Sequence, residues 1–289
     1  MQFGKMGVFY FTDSLDAKGG AELAARVEEM GYSTLWYPEA FGYEAFGIGG
    51  YLLGQTKTLQ VGSGIANIYA RDPAASAMGL NTLNNLYDGR FVLGLGVSHA
   101  PLVSDLRGHE YKKPVTTMRA YLDAMDQTWE GLGSTPEVKQ VVLAALGPKM
   151  TQLADERTQG SFPYNITPEQ ATASKQNSPK GGAVICEQKI CLCEDPEQAR
   201  KAARAALELY LPLPNYFNNW FRLGFNEDDL KDGGSDRLMD AMVMWGDAAS
   251  IKAKLQKYFD NGADQVVVQP VKADGSPGVD FAALEALAP

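Results

Sequence analysis

Short, wholly apolar runs alternate along this chain with stretches of helical periodicity, roughly every 25 to 40 residues, and that rhythm closes off most folds. Runs such as Val-Val-Leu-Ala-Ala-Leu at 141–146 and Val-Val-Val at 266–268 have no polar face. Strands of that kind must be covered on both sides, as in parallel sheets packed under helices. Eight segments read as strands: 7–11, 33–38, 59–66, 90–97, 140–146, 160–164, 183–193 and 265–270. Helix signals fall between them. The periodic segment 21–30 stops at Gly31, Asp72 before Pro73 supplies an N-cap with a first-turn proline, and Thr167-Pro168-Glu169 repeats that signal. The fold class expected is α/β, a (β/α)8 TIM barrel. Its 289 residues suit one domain over 1–289, because one barrel takes about 250.

Two connections exceed ordinary loop lengths: 98–114 after the fourth strand and 209–244 after the seventh. Both read as insertions over the active face. The second carries Tyr210, Tyr216, Phe217, Trp220, Phe221 and Phe225, so it is expected to be partly helical and to roof a ligand pocket.

Composition removes several classes of function. A formal net charge of -9 argues against a nucleic-acid partner, which is held mainly by clustered Lys and Arg. With 45% hydrophobic and 21% charged residues and no long uninterrupted apolar window, the chain needs no lipid. Residues 1–5 lead into the first strand without a charged-then-apolar leader, and a cytoplasmic protein is expected. Cys186, Cys191 and Cys193 crowd one strand-like stretch and read as reduced thiols; Cys191 and Cys193 would share a strand face in the core.

In a barrel the chemistry sits at strand C-termini and the loops after them. Gly62-Ser63-Gly64-Ile65-Ala66-Asn67 ends the third strand with two close glycines, where backbone bulges or approaches a ligand. Gly94-Leu95-Gly96-Val97-Ser98-His99 sheds its side chains at the fourth strand's end and then presents a hydroxyl and an imidazole suited to proton transfer. Gly147-Pro148-Lys149-Met150 is a strand-to-helix turn whose free N–H groups and lysine suit a phosphate, Pro148 itself having no N–H. Tyr164 ends the sixth strand with a phenol. His109, in a polar loop, reads as a surface residue.

With two histidines, both near one loop, a hydrolytic metal site lacks ligands, and no metal is expected. No dinucleotide, P-loop or nucleophile-elbow signature occurs.

Taken together, the segments 31–39 (Gly-Tyr-Ser-Thr-Leu-Trp-Tyr-Pro-Glu), 64–73, 88–99, 245–247 (Trp-Gly-Asp) and 262–270 resemble the luciferase-like superfamily, in particular its branch using the deazaflavin coenzyme F420. The resemblance is good over 1–170 and 245–270 and poor between. It implies a non-proline cis peptide at Gly64-Ile65 behind the coenzyme ring, with Ala66 and Asn67 beside it. It further implies Gly96, Val97 and Ser98 at the ring edge, and Gly147 to Met150 and Tyr164 near the phosphate-bearing chain. His99 stands where related sugar-phosphate dehydrogenases have a catalytic carboxylate, which makes it the first choice for proton transfer, with Glu39 second. Those dehydrogenases carry a histidine where this chain has Ala40, so a less polar organic substrate is expected, against Phe9, Phe11, Tyr69, Tyr216 and Trp220. The resemblance implies F420-dependent hydride transfer. An FMN-dependent monooxygenase and a non-catalytic flavin- or deazaflavin-binding protein are the alternatives, and related barrels commonly form homodimers.

Overall fold

The computed structural model describes residues 3–289; of the N-terminal stretch discussed above, Met1 and Gln2 lie outside the described residues. Ten strands are formed: β1 (Met6–Phe9), β2 (Thr34–Tyr37), β3 (Gln60–Ser63), β4 (Ala66–Asn67), β5 (Phe91–Gly96), β6 (Val141–Leu143), β7 (Gly160–Ser161), β8 (Ala183–Leu192), β9 (Val243–Gly246) and β10 (Gln265–Pro270). All pair in parallel. The path β1, β2, β3, β5, β6, β7, β8, β10 returns to β1 and closes a barrel, with helices between strands as the continuous apolar runs require. The expected fold is the one observed.

One layer of side chains fills the barrel interior: Phe9, Trp36, Val92, Val142, Phe162, Ile185 and Val267. Trp36 stacks on Phe162 with ring centroids 4.8 Å apart. The third strand contributes Gly62 at this level, where a Cβ would fall 2.5 Å from the Trp36 ring. The glycine makes the room that the indole occupies.

The structure corrects several boundaries. The 209–244 stretch is helical in part, as expected (Pro214–Arg222 and Asp236–Met242), but it runs directly into β9, an extra strand outside the ring that pairs with the far end of β8. No glycine or proline separates Met242, the last helical residue, from Val243, so no turn signal announced it. β8 stops at Leu192, and Cys193 lies beyond the strand, its thiol against Gln198 Oε1 at 3.3 Å. It does not share the buried face of Cys191. Asp72 caps its helix through Ala75 N–H at 2.8 Å, whereas the Thr167 side chain makes no capping bond. The first helix begins four residues earlier than its apolar periodicity indicates, at Ala17, because Asp16 caps it through Gly19 N–H. Among the described residues no helix is long and apolar enough to cross a membrane.

Candidate active site

At the mouth of the barrel the third strand is broken. Gly62 pairs with Val92 and Ala66 pairs with Leu95, so four steps on the third strand match three on β5, which leaves one residue extra. Ser63 repairs the ladder at that point: its Oγ accepts from Gly94 N–H at 3.0 Å and donates to Gly94 O at 2.9 Å. The bulged main chain turns instead toward the segment after β2. Gly64 N–H donates to Tyr37 O at 2.6 Å, and Ile65 O accepts from Glu39 N–H at 3.2 Å. The Gly64-Ile65 peptide is cis, as the resemblance implies. β5 accommodates the bulge with glycines: a Cβ at Gly94 would fall 1.9 Å from Ser63 O, and one at Gly96 would fall 2.4 Å from the Ile65 side chain. Ala66 and Asn67 are buried, while Gly64, Ile65, Val97 and Ser98 keep partly exposed surface at the mouth.

Glu39 follows β2 and is fully engaged. Its carboxylate forms a two-pronged ion pair with Arg71 and accepts from Asn67 N–H at 2.8 Å and Ala45 N–H at 3.3 Å. Such a carboxylate pins the turn after β4 to the barrel, its oxygens taken up by these partners.

His99 lies two residues past Val97, after Ser98 in the left-handed region at φ 57. Its Nδ1 is buried with no hydrogen-bond partner among the described residues, and burial pushes the imidazole below its ordinary value. Its ring lies 5.3 Å from that of Tyr216. Both insertions meet at the preceding residue, where Ser98 O accepts from Tyr111 OH (3.4 Å) and from Asn215 Nδ2 (3.3 Å).

The mouth beside β7 and β8 holds residues that sequence reasoning did not single out. Glu187 and Lys189, each 1% exposed, pair at 3.2 Å inside the barrel. Burial pushes the Glu187 carboxyl up and the Lys189 ammonium down, and each charge opposes the other's shift. The ammonium stands 4.0 Å from the Tyr164 ring centroid. Tyr164 OH donates to Gln269 Oε1 at 2.8 Å and shares a 3.0 Å hydrogen bond with Tyr210 OH, and burial raises both phenols, which keeps them protonated. The trace in the sequence was Glu-x-Lys inside the apolar run 183–192, which places two charges on one strand face.

The residues proposed to meet a substrate divide. Phe11, Phe9, Tyr164, Tyr216 and His99 form a continuous line of ring contacts across the mouth. Phe9 and Trp220, at 1% and 0% exposure, sit in the packing rather than on an open wall. Tyr69 packs on His109 and Tyr111 of the first insertion, with its hydroxyl unpartnered.

Gly147 begins the helix Pro148–Arg157 without a side-chain cap; Lys149 is exposed and Met150 buried. A Cβ on Gly147 would lie 3.9 Å from Arg222 Nη2, a guanidinium that hydrogen-bonds Asn219 and has no carboxylate partner among the described residues. A helix N-terminus, a nearby guanidinium and no acid between them fit a phosphate. The glycine-backed bulge, the imidazole nitrogen without a partner among the described residues and this turn together fit a ring with a phosphate-bearing chain.

Comparison with known proteins agrees with this geometry. Residues 5–265 match the family model for luciferase-like monooxygenases. The chain is 25% identical to Rv3520c of Mycobacterium tuberculosis, named provisionally as a coenzyme F420-dependent oxidoreductase, over 88% of this chain and 91% of that one. It superimposes with a TM-score of 0.79 on an F420-dependent secondary alcohol dehydrogenase in complex with an F420-acetone adduct (16% identity, 99% of each chain). The TM-score is also 0.79 for the coenzyme F420 dependent tetrahydromethanopterin reductase of Methanopyrus kandleri, at 18% identity, covering 100% of this chain and 98% of that one. At such identities the structural likeness speaks for the fold.

Proposed function

The chain belongs to the luciferase-like monooxygenase family, and from that premise we propose that it is an F420-dependent oxidoreductase acting on a small organic substrate, with 1–289 working as one domain. The observation that carries the reading is the one-residue bulge between Gly62 and Ala66 at the barrel mouth, which the β5 glycines accommodate by leaving room for Ser63 O and the Ile65 side chain. The F420-named relatives support the choice of coenzyme over FMN.

In this reading Gly64, Ile65, Gly96, Val97 and Ser98 hold the ring, and Gly147, Lys149 and Arg222 hold the phosphate. When bound, the coenzyme would supply the hydride chemistry, while the protein contributes orientation, exclusion of water and a proton. Tyr216, on the helix Pro214–Arg222, excludes water from one side. His99 handles the proton at Nδ1, the buried ring nitrogen that has no partner of its own. Glu39 is assigned a holding role, because Arg71 and two backbone N–H groups occupy its oxygens. Phe11, Tyr69 and Tyr216 favour an apolar substrate body.

Fluorescence titration with F420 and with FMN tests the coenzyme: F420 binds in the micromolar range and FMN weakly or not at all, and the reverse order overturns the proposal. His99→Ala is expected to keep coenzyme binding and lose about 100-fold or more in turnover. Unchanged turnover removes His99 from the chemistry, and binding with no turnover by the parent protein on any substrate favours a carrier.

A further inference from the structure

The ion pair on β8 takes no part in the scheme above; besides the Tyr164 and Tyr210 rings, it contacts Asn165. Asn165 connects the pair to the roof. It is 2% exposed and left-handed at φ 55, a conformation asparagine tolerates better than most residues. Its N–H donates to Glu187 Oε2 at 3.0 Å, and its Oδ1 accepts from Lys189 Nζ. Its main-chain oxygen accepts from Trp220 Nε1–H at 2.9 Å. Two charges on β8 therefore hold a residue of the loop after β7, and that residue holds the helix Pro214–Arg222.

On that helix Tyr216 lies one turn before Trp220 and on the same face, with ring centroids 6.1 Å apart. The Tyr216 ring also lies 5.3 Å from that of His99. Two further polar links seat this helix, Asn219 Nδ2 to Gln170 Oε1 at 3.2 Å and, near His99, Asn215 Nδ2 to Ser98 O at 3.3 Å, and both are longer than the Trp220 bond.

We propose that Lys189, Glu187 and Asn165 are positioning residues for His99: they fix the seating of the helix Pro214–Arg222 and so set Tyr216 against the imidazole. The inference rests on the reading of His99 as the proton-handling group, but its test needs neither coenzyme nor turnover. An ion pair that merely plugged the barrel could be replaced without effect on His99. One that positions the helix cannot.

The chain has two histidines and four tryptophans, so imidazole C–H and indole N–H proton signals can be assigned individually, with His109→Gln marking the other histidine and Trp220→Phe its own indole. Tyr216→Leu defines where the His99 signal falls once the ring is gone. Three variants then act at successive links. The pair Lys189→Met with Glu187→Gln removes both charges together, Asn165→Gly removes the side chain while allowing the left-handed backbone, and Trp220→Phe removes the indole donor together with part of the buried ring.

Each is expected to shift the His99 signal toward its Tyr216→Leu position while His109 stays in place; general loosening would move both. If the double variant loses its fold, Trp220→Phe still decides the matter. A His99 signal unmoved in folded Trp220→Phe overturns the proposal. So does one that moves there but stays put in a folded double variant. Loss of turnover in His99→Ala bears on the catalytic reading alone, so the two claims fail separately.

Discussion

Beside β3 and β5 the barrel mouth is made of main chain: Gly64, Gly94 and Gly96 carry no side chains, and the bulge is held by Ser63 and by backbone bonds to the segment after β2. Beside β7 and β8 it is made of side chains, with a buried ion pair, an asparagine, two hydrogen-bonded phenols and an indole drawn from separate segments. The first half leaves a flat, partly exposed floor. The second is closed by a helix from the long insertion. In the proposed reading a ring lies on the floor, where the bulge stays partly exposed, and a proton-handling group is shielded under the roof, where much is buried. On the proposed function, binding falls to one half and control of the chemistry to the other.

If the halves differ in this way, substitutions in them should fail differently. The largest effect is expected on the roofed side. Lys189→Met leaves Glu187 buried without its partner, which costs about 3–5 kcal/mol. Neutralising both residues together should recover most of that loss, since a buried pair replaced by uncharged groups of similar size is often tolerated. Urea denaturation of the two variants measures the difference; equal destabilisation would mean that packing, not charge, sets the cost.

A smaller loss is expected on the open side. Gly94→Ala drives a methyl to within 1.9 Å of Ser63 O, which main chain can relieve only by moving. Overpacking of this kind costs about 1–3 kcal/mol. Its mark is on binding: with the bulge displaced, coenzyme affinity falls more than stability does. A Gly94→Ala protein with parental affinity would show that the floor is not the ring site.

The two halves also differ in how far they could be read from sequence. The barrel was legible, because strands such as 141–146 and 266–268 have no polar face and a parallel sheet under helices is the arrangement that buries them. The glycine half was legible too: Gly62-Ser63-Gly64 and Gly94-Leu95-Gly96 lie close along the chain, and glycines at strand ends point to close backbone approach. Of the roofed half, the aromatic insertion and Tyr164 were legible, but the polar network beneath them was not. Asn165, Glu187, Lys189 and Trp220 meet only in three dimensions, and each taken alone reads as a loop residue, a strand charge or a core aromatic. The Glu-x-Lys pattern inside an apolar strand was the available clue. β9 escaped because a helix passes into it with no punctuating residue. Glu39 was legible as a polar group at a strand end, but its engagement by Arg71, 32 residues further on, was not.

The smallest effect separates shielding from openness most directly. Burial under the roof lowers the affinity of His99 for a proton in the folded state, relative to 6.5 in an unfolded chain. Above that pH the imidazole is neutral in both states and contributes nothing to the pH dependence of stability. As the pH falls through 6.5 the unfolded chain takes up the proton first, so stability drops, and the drop ends once the folded imidazole is protonated as well. His99→Gln should therefore lose part of the acid-side slope while leaving stability above neutrality little changed in pH dependence. Tyr216→Leu, which strips the cover and keeps the histidine, should shrink the slope in the same window by letting the folded imidazole titrate nearer its unfolded value. Denaturant melts of the three proteins between pH 5 and pH 8, roughly the range over which an imidazole changes charge, carry the comparison. If the parent and Tyr216→Leu give the same slope, the roof does not shield His99, and the division of the mouth into a floor and a cover loses its functional meaning.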